Sequence, residues 1–131
     1  MAISKEARGH GMEWEEGYCF SQALKVGDTI HISGQFSHDE AGNFVGTGDV
    51  EAQVRQAYEN IKRLLSQYSA GVDNIVDEMI FVTDIKGSFD AVSRVRKEIY
   101  AGLVPPANTL VQVARLTMGR QLVEIKCTAR L

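Results

Sequence analysis

The sequence predicts an α+β protein in which two helices pack on one face of a sheet, with the element order β-β-α-β-α-β-β. Two patterns support this prediction. Some segments alternate apolar and polar residues, which is typical of strands, and two segments repeat apolar residues at helical spacing. The length of 131 residues suits one domain. We therefore expect a single domain over residues 1–131, with residues 1–13 as a flexible N-terminal arm.

Five strands are predicted from alternation, apolar runs and turn residues. The first two form a hairpin around Gly27-Asp28, a dipeptide that permits positive φ. The third contains the apolar run 79–82, which is typical of a buried strand. Period two places Asn108, Leu110 and Gln112 on one face of the fourth strand. The predicted strands cover residues 20–26, 29–33, 75–83, 108–113 and 122–129.

Two amphipathic helices complete the predicted fold. Asp49 can cap the first, since its carboxylate can accept the free amides of the first turn. Ser88 is the predicted cap of the second, and Gly102 follows its end. The residues expected to face the core at helical spacing are Val50, Val54, Ala57, Tyr58, Ile61, Leu64 and Leu65 in the first helix and Phe89, Val92, Val95 and Ile99 in the second.

Composition and charge exclude several classes of function. The net charge of -3 and the pI near 5.6 argue against nucleic-acid binding, which needs clustered Lys and Arg. No stretch approaches the roughly 18 apolar residues of a membrane span, and the first residues lack a signal-peptide pattern. We therefore expect a cytoplasmic protein. The three histidines show no metal-binding spacing, so neither a metal nor a cofactor is expected.

Short segments spread over the chain resemble the RidA family, also called YjgF-type or L-PSP proteins. The strongest is the block from Pro106 to Leu116, which reads Pro-Ala-Asn-Thr-Leu-Val-Gln-Val-Ala-Arg-Leu, together with Val123-Glu124-Ile125. The others are Phe20-Ser21-Gln22-Ala23, Ile32-Ser33-Gly34-Gln35, Phe81-Val82-Thr83-Asp84 and the helical segment 53–61. The resemblance runs from about residue 14 to the C-terminus.

The resemblance implies a chorismate-mutase-like fold, a homotrimer and a ligand cleft at each subunit interface. Active members hydrolyse an enamine or imine to a keto acid and ammonia. The implied catalytic groups are Glu124 and the backbone of Gly34, which would position the attacking water. The implied substrate-binding positions are Asn108, Leu110, Phe20, Tyr18 and Ser33.

Three of these positions depart from the family pattern. The family segment reads Pro-Ala-Arg-Ser or Pro-Ala-Arg-Thr, and its Arg binds a substrate carboxylate, whereas this chain has Asn108. Leu110 replaces a small polar residue, and Phe20 replaces a Tyr that nearby Tyr18 can substitute. Losing a charge-assisted hydrogen bond costs about 1.5–3 kcal/mol, so a small imino acid should bind poorly unless another cation, such as Arg120, takes over.

Three functions follow as hypotheses. The first is an imine or enamine hydrolase of altered specificity whose preferred substrate is not 2-iminopropionate, with Glu124 handling water and Asn108 orienting the substrate. The second is a trimer that binds a small metabolite without turnover. The third is the endoribonuclease activity that some relatives carry in name, which the acidic charge argues against.

Overall fold

The computed structural model describes all 131 residues. Its six strands form one sheet with the order β1-β2-β3-β6-β4-β5. Three helices and a short 3₁₀ turn, Val72–Asn74, complete the chain. The elements are β1 (Glu6–Arg8), α1 (Glu13–Gly17), β2 (Ala23–Val26), β3 (Thr29–Gln35), α2 (Val50–Ser66), β4 (Ile75–Val82), α3 (Ile85–Ile99), β5 (Ala107–Gln112) and β6 (Val123–Arg130).

The predicted α+β class is confirmed. Neighbouring strands are antiparallel except β4 and β5, which are parallel because α3 connects them as a crossover. Twenty buried residues of the sheet and the helices form one core. Both long helices are amphipathic and bury the residues predicted from helical spacing, among them Val54, Ile61 and Val92. No helix combines the length and the apolar character that crossing a bilayer requires.

The N-terminal arm contains regular structure that the sequence pattern does not predict. Strand β1 extends the sheet by pairing with β2, and helix α1 follows it. The Tyr68 hydroxyl donates to the carbonyl oxygen of Glu6 at 2.7 Å, and the Gln67 side chain donates to the carbonyl oxygen of Gly9 at 2.9 Å. These contacts fasten the arm to the end of α2.

The predicted start of the second helix at Ser88 is wrong. Helix α3 begins at Ile85, and its cap is Asp84, whose side chain accepts a hydrogen bond from the backbone N–H of Gly87 at 3.3 Å. The carboxylate of Asp84 occupies the space beside Gly87, where a Cβ would lie 2.6 Å from it. Both residues satisfy capping preferences, but Ser88 is buried within the first turn of the helix.

A β-bulge in β3 prepares the functional region. Ile32 pairs with Cys127 and Gln35 pairs with Ile125, so three steps along β3 correspond to two along β6. The extra residue lies in the Ser33-Gly34 segment. Both Ile32 and Gln35 therefore face the core, while Gly34 lies against the outward-facing side chain of Glu124.

The sheet face opposite α2 and α3 mixes polar and apolar side chains. Met79 and Lys126 form an exposed pair across β4 and β6, and Phe81 and Val111 are half-buried. A monomer leaves this partly apolar surface in water, which is the property of the second face that the sequence pattern predicts.

Candidate functional site

A cavity of about 580 Å³ opens beside the bulge in β3. Its walls come from α1 and the residues after it, the loop between β3 and α2, and the connection between β5 and β6. The lining combines five aromatic side chains with a carboxylate and a guanidinium. The lining residues are Trp14, Tyr18, Phe20, Ser33, Gly34, Phe36, Gly42, Phe44, Thr117, Met118, Arg120, Gln121 and Glu124.

Glu124 and Gly34 are in direct contact at the centre of this site. A Cβ placed on Gly34 would lie 2.5 Å from Oε2 of Glu124 and 2.7 Å from its Cδ. Such distances are far inside the 3.5–4.0 Å of ordinary contacts. Only glycine at this position leaves the Glu124 side chain where it lies.

Glu124 is half-buried and has no cationic partner. None of the nine ion pairs of the chain includes its carboxylate. Burial raises the pKa of Glu124 above its ordinary value, and a hydrogen bond with the Gln121 side chain offsets part of that rise. A carboxyl group with a raised pKa in a cavity can both accept and donate a proton near neutral pH.

Three further predicted site residues lie around the same cavity. The Ser33 hydroxyl donates to the carbonyl oxygen of Ser21 at 2.7 Å, which ties the bulge to the segment before β2. Tyr18 and Phe20 line the cavity with exposed side chains, 78% and 38% accessible respectively. The structure therefore brings together Tyr18, Phe20, Ser33, Gly34 and Glu124.

An aromatic wall forms the part of the cavity that the sequence analysis did not identify. Phe36 stacks with Phe44 at a centroid distance of 6.4 Å, and Trp14 lies 6.1 Å from Phe36. Gly42 has φ +86° and a Cβ there would lie 3.2 Å from the Trp14 ring. The glycines of this loop are the only sequence signal for such close packing, and they do not reveal the partner.

A buried amide fixes two of the cavity walls. The side chain of Gln53, on α2, donates to the carbonyl oxygens of Gly46 at 2.9 Å and Arg120 at 3.1 Å. Its Oε1 accepts the backbone N–H of Leu122 at 2.8 Å. Since Gln53 is fully buried, these bonds hold the loop before α2 and the connection before β6 at a set separation.

The remaining predicted site residues, Asn108 and Leu110, lie elsewhere in the chain. Both are on β5, on the sheet face that carries α2 and α3, and neither lines the cavity. Leu110 packs against the core. Within one chain, the position that the resemblance assigns to the substrate carboxylate is therefore separate from Glu124.

Asn108 instead belongs to a polar cluster around the buried carboxylate of Glu78. Its Nδ2 donates to Oε1 of Glu78 at 3.0 Å. The hydroxyls of Tyr58 and Tyr100 donate to Oε2 at 2.9 and 2.7 Å, and Arg96 forms an ion pair with Oε1. Burial and the adjacent carboxylate raise the pKa of both tyrosines, so these hydroxyls stay protonated as donors.

No group of three or more His, Cys, Asp and Glu side chains is arranged to hold a metal ion. The protein groups available for chemistry in the cavity are therefore the Glu124 carboxyl, the Arg120 guanidinium, the side chains of Ser33 and Gln121, and backbone amides.

Comparison with known proteins agrees with the fold and the position of the cavity residues. The family model described as Endoribonuclease L-PSP matches residues 16–131. The chain belongs to this family. The resemblance that the sequence segments predict is thereby confirmed, and 16–131 includes the bulge, Glu124 and all but one of the cavity residues.

Individual L-PSP family relatives are similar over most of the chain. A RutC family protein of Sulfurisphaera tokodaii is 33% identical over 97 residues, 74% of this chain and 76% of its own. A Dermatophagoides farinae protein named 2-iminobutanoate/2-iminopropanoate deaminase is 32% identical over 97 residues, 74% of each chain. The crystal structure of Rv2704, a YjgF/YER057c/UK114 family member from Mycobacterium tuberculosis, is 27% identical with a TM-score of 0.86, covering 98% of this chain and all of its own.

Proposed function

We propose that this protein hydrolyses imines or enamines to carbonyl compounds and ammonia, with a substrate preference different from that of 2-iminopropionate hydrolases. The observation that carries the proposal is the unpaired, half-buried carboxyl of Glu124 against Gly34 in a cavity of about 580 Å³. The family membership and the deaminase name of the mite relative support the reaction class.

The reaction needs one group that moves protons in two directions. An enamine first gains a proton at carbon and becomes an imine. The Glu124 carboxylate then takes a proton from water while the water oxygen bonds to the imine carbon, whose nitrogen becomes protonated. The resulting carbinolamine expels ammonia as its hydroxyl proton returns to Glu124, so that one imine and one water give one carbonyl compound and one ammonia.

The raised pKa of Glu124 suits this cycle. A carboxyl group is an efficient proton shuttle when its pKa approaches the working pH. The aromatic wall of Trp14, Phe36 and Phe44 would exclude bulk water from the apolar part of the substrate. This wall, with Phe20, favours a larger and less polar substrate than 2-iminopropionate.

The proposed working form is a homotrimer in the cytoplasm with clefts between subunits. One protomer would supply the cavity with Glu124, and its neighbour would supply the β5 edge with Asn108 and Leu110. The separation of these groups in one chain and the exposed Met79 on the open sheet face are compatible with that arrangement. Sedimentation or light scattering gives the stoichiometry, and a monomer at micromolar concentration contradicts it.

A hydrolysis panel tests the proposed reaction. An amino-acid oxidase generates imino acids in situ from alanine, leucine, methionine and phenylalanine, and semicarbazide traps whatever imine persists. We expect the protein to lower semicarbazone formation most for the bulky members of the panel. Glu124→Gln should lose this effect, whereas Glu59→Gln, on the exposed side of α2, should retain it.

The outcomes separate the competing functions. Efficient hydrolysis of the alanine-derived imine would contradict the altered preference. Full activity of a folded Glu124→Gln variant would remove Glu124 from the mechanism. Absence of turnover across the panel would favour the metabolite-binding trimer, and RNA cleavage that survives stringent purification would favour the endoribonuclease.

A further inference from the structure

Arg120 is a cation without a protein partner inside the cavity. Of the eight arginines, all but Arg115 and Arg120 form ion pairs. The guanidinium of Arg120 makes no hydrogen bond to another residue, whereas Arg115 does not line the cavity. A guanidinium strongly favours a carboxylate or phosphate partner, so its position in a ligand-sized cavity is informative.

The surroundings hold this guanidinium in a defined place. Its Cζ lies 4.7 Å from the centre of the Phe44 ring, and Phe44 in turn stacks on Phe36. The buried Gln53 side chain fixes the backbone of Arg120 at its carbonyl oxygen. A guanidinium with its face on an aromatic ring keeps its N–H groups, which lie in its plane, available for an acceptor.

We propose that Arg120 binds the carboxylate of the ligand, the role that the family resemblance gives to the position of Asn108. This inference rests on the proposed function and deepens it by naming the substrate class: 2-imino acids with an apolar or aromatic side chain. The carboxylate lies at Arg120, the side chain lies against the aromatic wall, and the C=N carbon lies at Glu124. Arg120 and Glu124 form no ion pair with each other, which leaves room for a ligand between them.

An equilibrium binding experiment tests the inference without turnover. Trp14 is the only tryptophan of the chain and lines the cavity, so its fluorescence reports occupancy. The probes are phenylacetate and its neutral analogue phenylacetamide. We expect phenylacetate to bind the unmodified protein more tightly than phenylacetamide. Arg120→Gln should weaken phenylacetate binding about ten- to hundredfold, the effect of one lost charge-assisted hydrogen bond, and leave phenylacetamide binding unchanged.

Arg115→Gln is the matched control. It removes the other unpaired arginine of the same connection and should change neither affinity. Retained phenylacetamide binding by Arg120→Gln shows that its cavity is intact. Equal affinity of Arg120→Gln and the unmodified protein for phenylacetate, or no detectable phenylacetate binding at millimolar concentration, overturns the inference.

The same variants separate this inference from the proposed hydrolysis. Phenylacetate binding that depends on Arg120, in a protein that hydrolyses no imine, supports the carboxylate site and contradicts the hydrolase. Imine hydrolysis that depends on Glu124, with phenylacetate binding indifferent to Arg120, supports the hydrolase and overturns the carboxylate site.

Discussion

The contact between Gly34 and Glu124 predicts how Gly34→Ala affects both stability and catalysis. The new Cβ would lie 2.5 Å from Oε2 and 2.7 Å from Cδ of Glu124, about 1 Å inside ordinary contact. Gly34 does not have a positive φ, so the conflict is with the side chain alone. Turning the Glu124 side chain away from its rotamer costs about 0.5–1.5 kcal/mol, and residual overpacking costs about 1–3 kcal/mol. We expect a loss of about 1–2 kcal/mol in the free energy of unfolding.

A double-mutant cycle measures this conflict directly. Glu124→Ala removes the group that the new methyl would meet, so Gly34→Ala should cost much less in that background than alone. Urea denaturation at one fixed protein concentration gives the four free energies of unfolding. Additive effects of the two substitutions would refute the steric reasoning. Hydrolysis by Gly34→Ala should also fall about 10- to 100-fold, since the displaced carboxyl no longer meets the water.

The other predictions concern the two carboxylates of the structure. Because the pKa of Glu124 is raised, the folded state holds a proton that the unfolded chain releases. Its contribution to stability therefore falls as pH rises above about 4.3 through the folded pKa. Glu124→Gln should accordingly gain stability relative to the unmodified protein between pH 4 and 7.5, and a pH-independent difference in urea denaturation would contradict this. Asn108→Asp places a second carboxylate beside Glu78, so it should destabilise the fold at pH 7 more than Asn108→Ala does, with the excess shrinking toward pH 4 as measured by thermal unfolding. Glu78→Ala leaves Arg96 without its partner and should cost about 3–5 kcal/mol, whereas Tyr58→Phe, which leaves the other donors in place, should cost about 1–2 kcal/mol. A smaller loss for the Glu78 variant than for the Tyr58 variant in the same denaturation series would contradict the cluster's assigned energetics.

Local patterns predict the fold well because the main elements bury regular faces. Helical spacing identifies Val54, Ile61 and Leu64 as core residues of α2, and all three are fully buried. Alternation identifies Val123 and Ile125 on the core face of β6. The start of α3 is less predictable, since Asp84 and Ser88 are both acceptable caps and the choice depends on how the helix packs.

The site is only partly predictable, since its members meet through tertiary structure. The resemblance points to Glu124 and Gly34, which are in contact. Period two groups Asn108 with Leu110, but it cannot tell which face of β5 meets the helices. The partner of Asn108 is Glu78, thirty residues earlier in the chain, and no local pattern links them. The packing of Phe44 under Arg120 is likewise a contact between distant segments.

The hydrogen bonds of Gln53 bear on how readily this protein can change its specificity. All three partners are backbone atoms, those of Gly46, Arg120 and Leu122. Side chains on both loops can therefore be exchanged without loss of the bonds that hold the loops apart. Substrate range can diversify by replacement of residues such as Phe44 or Met118 while the framework stays constant. Loop libraries built on this chain should retain folded members as long as Gln53 is kept.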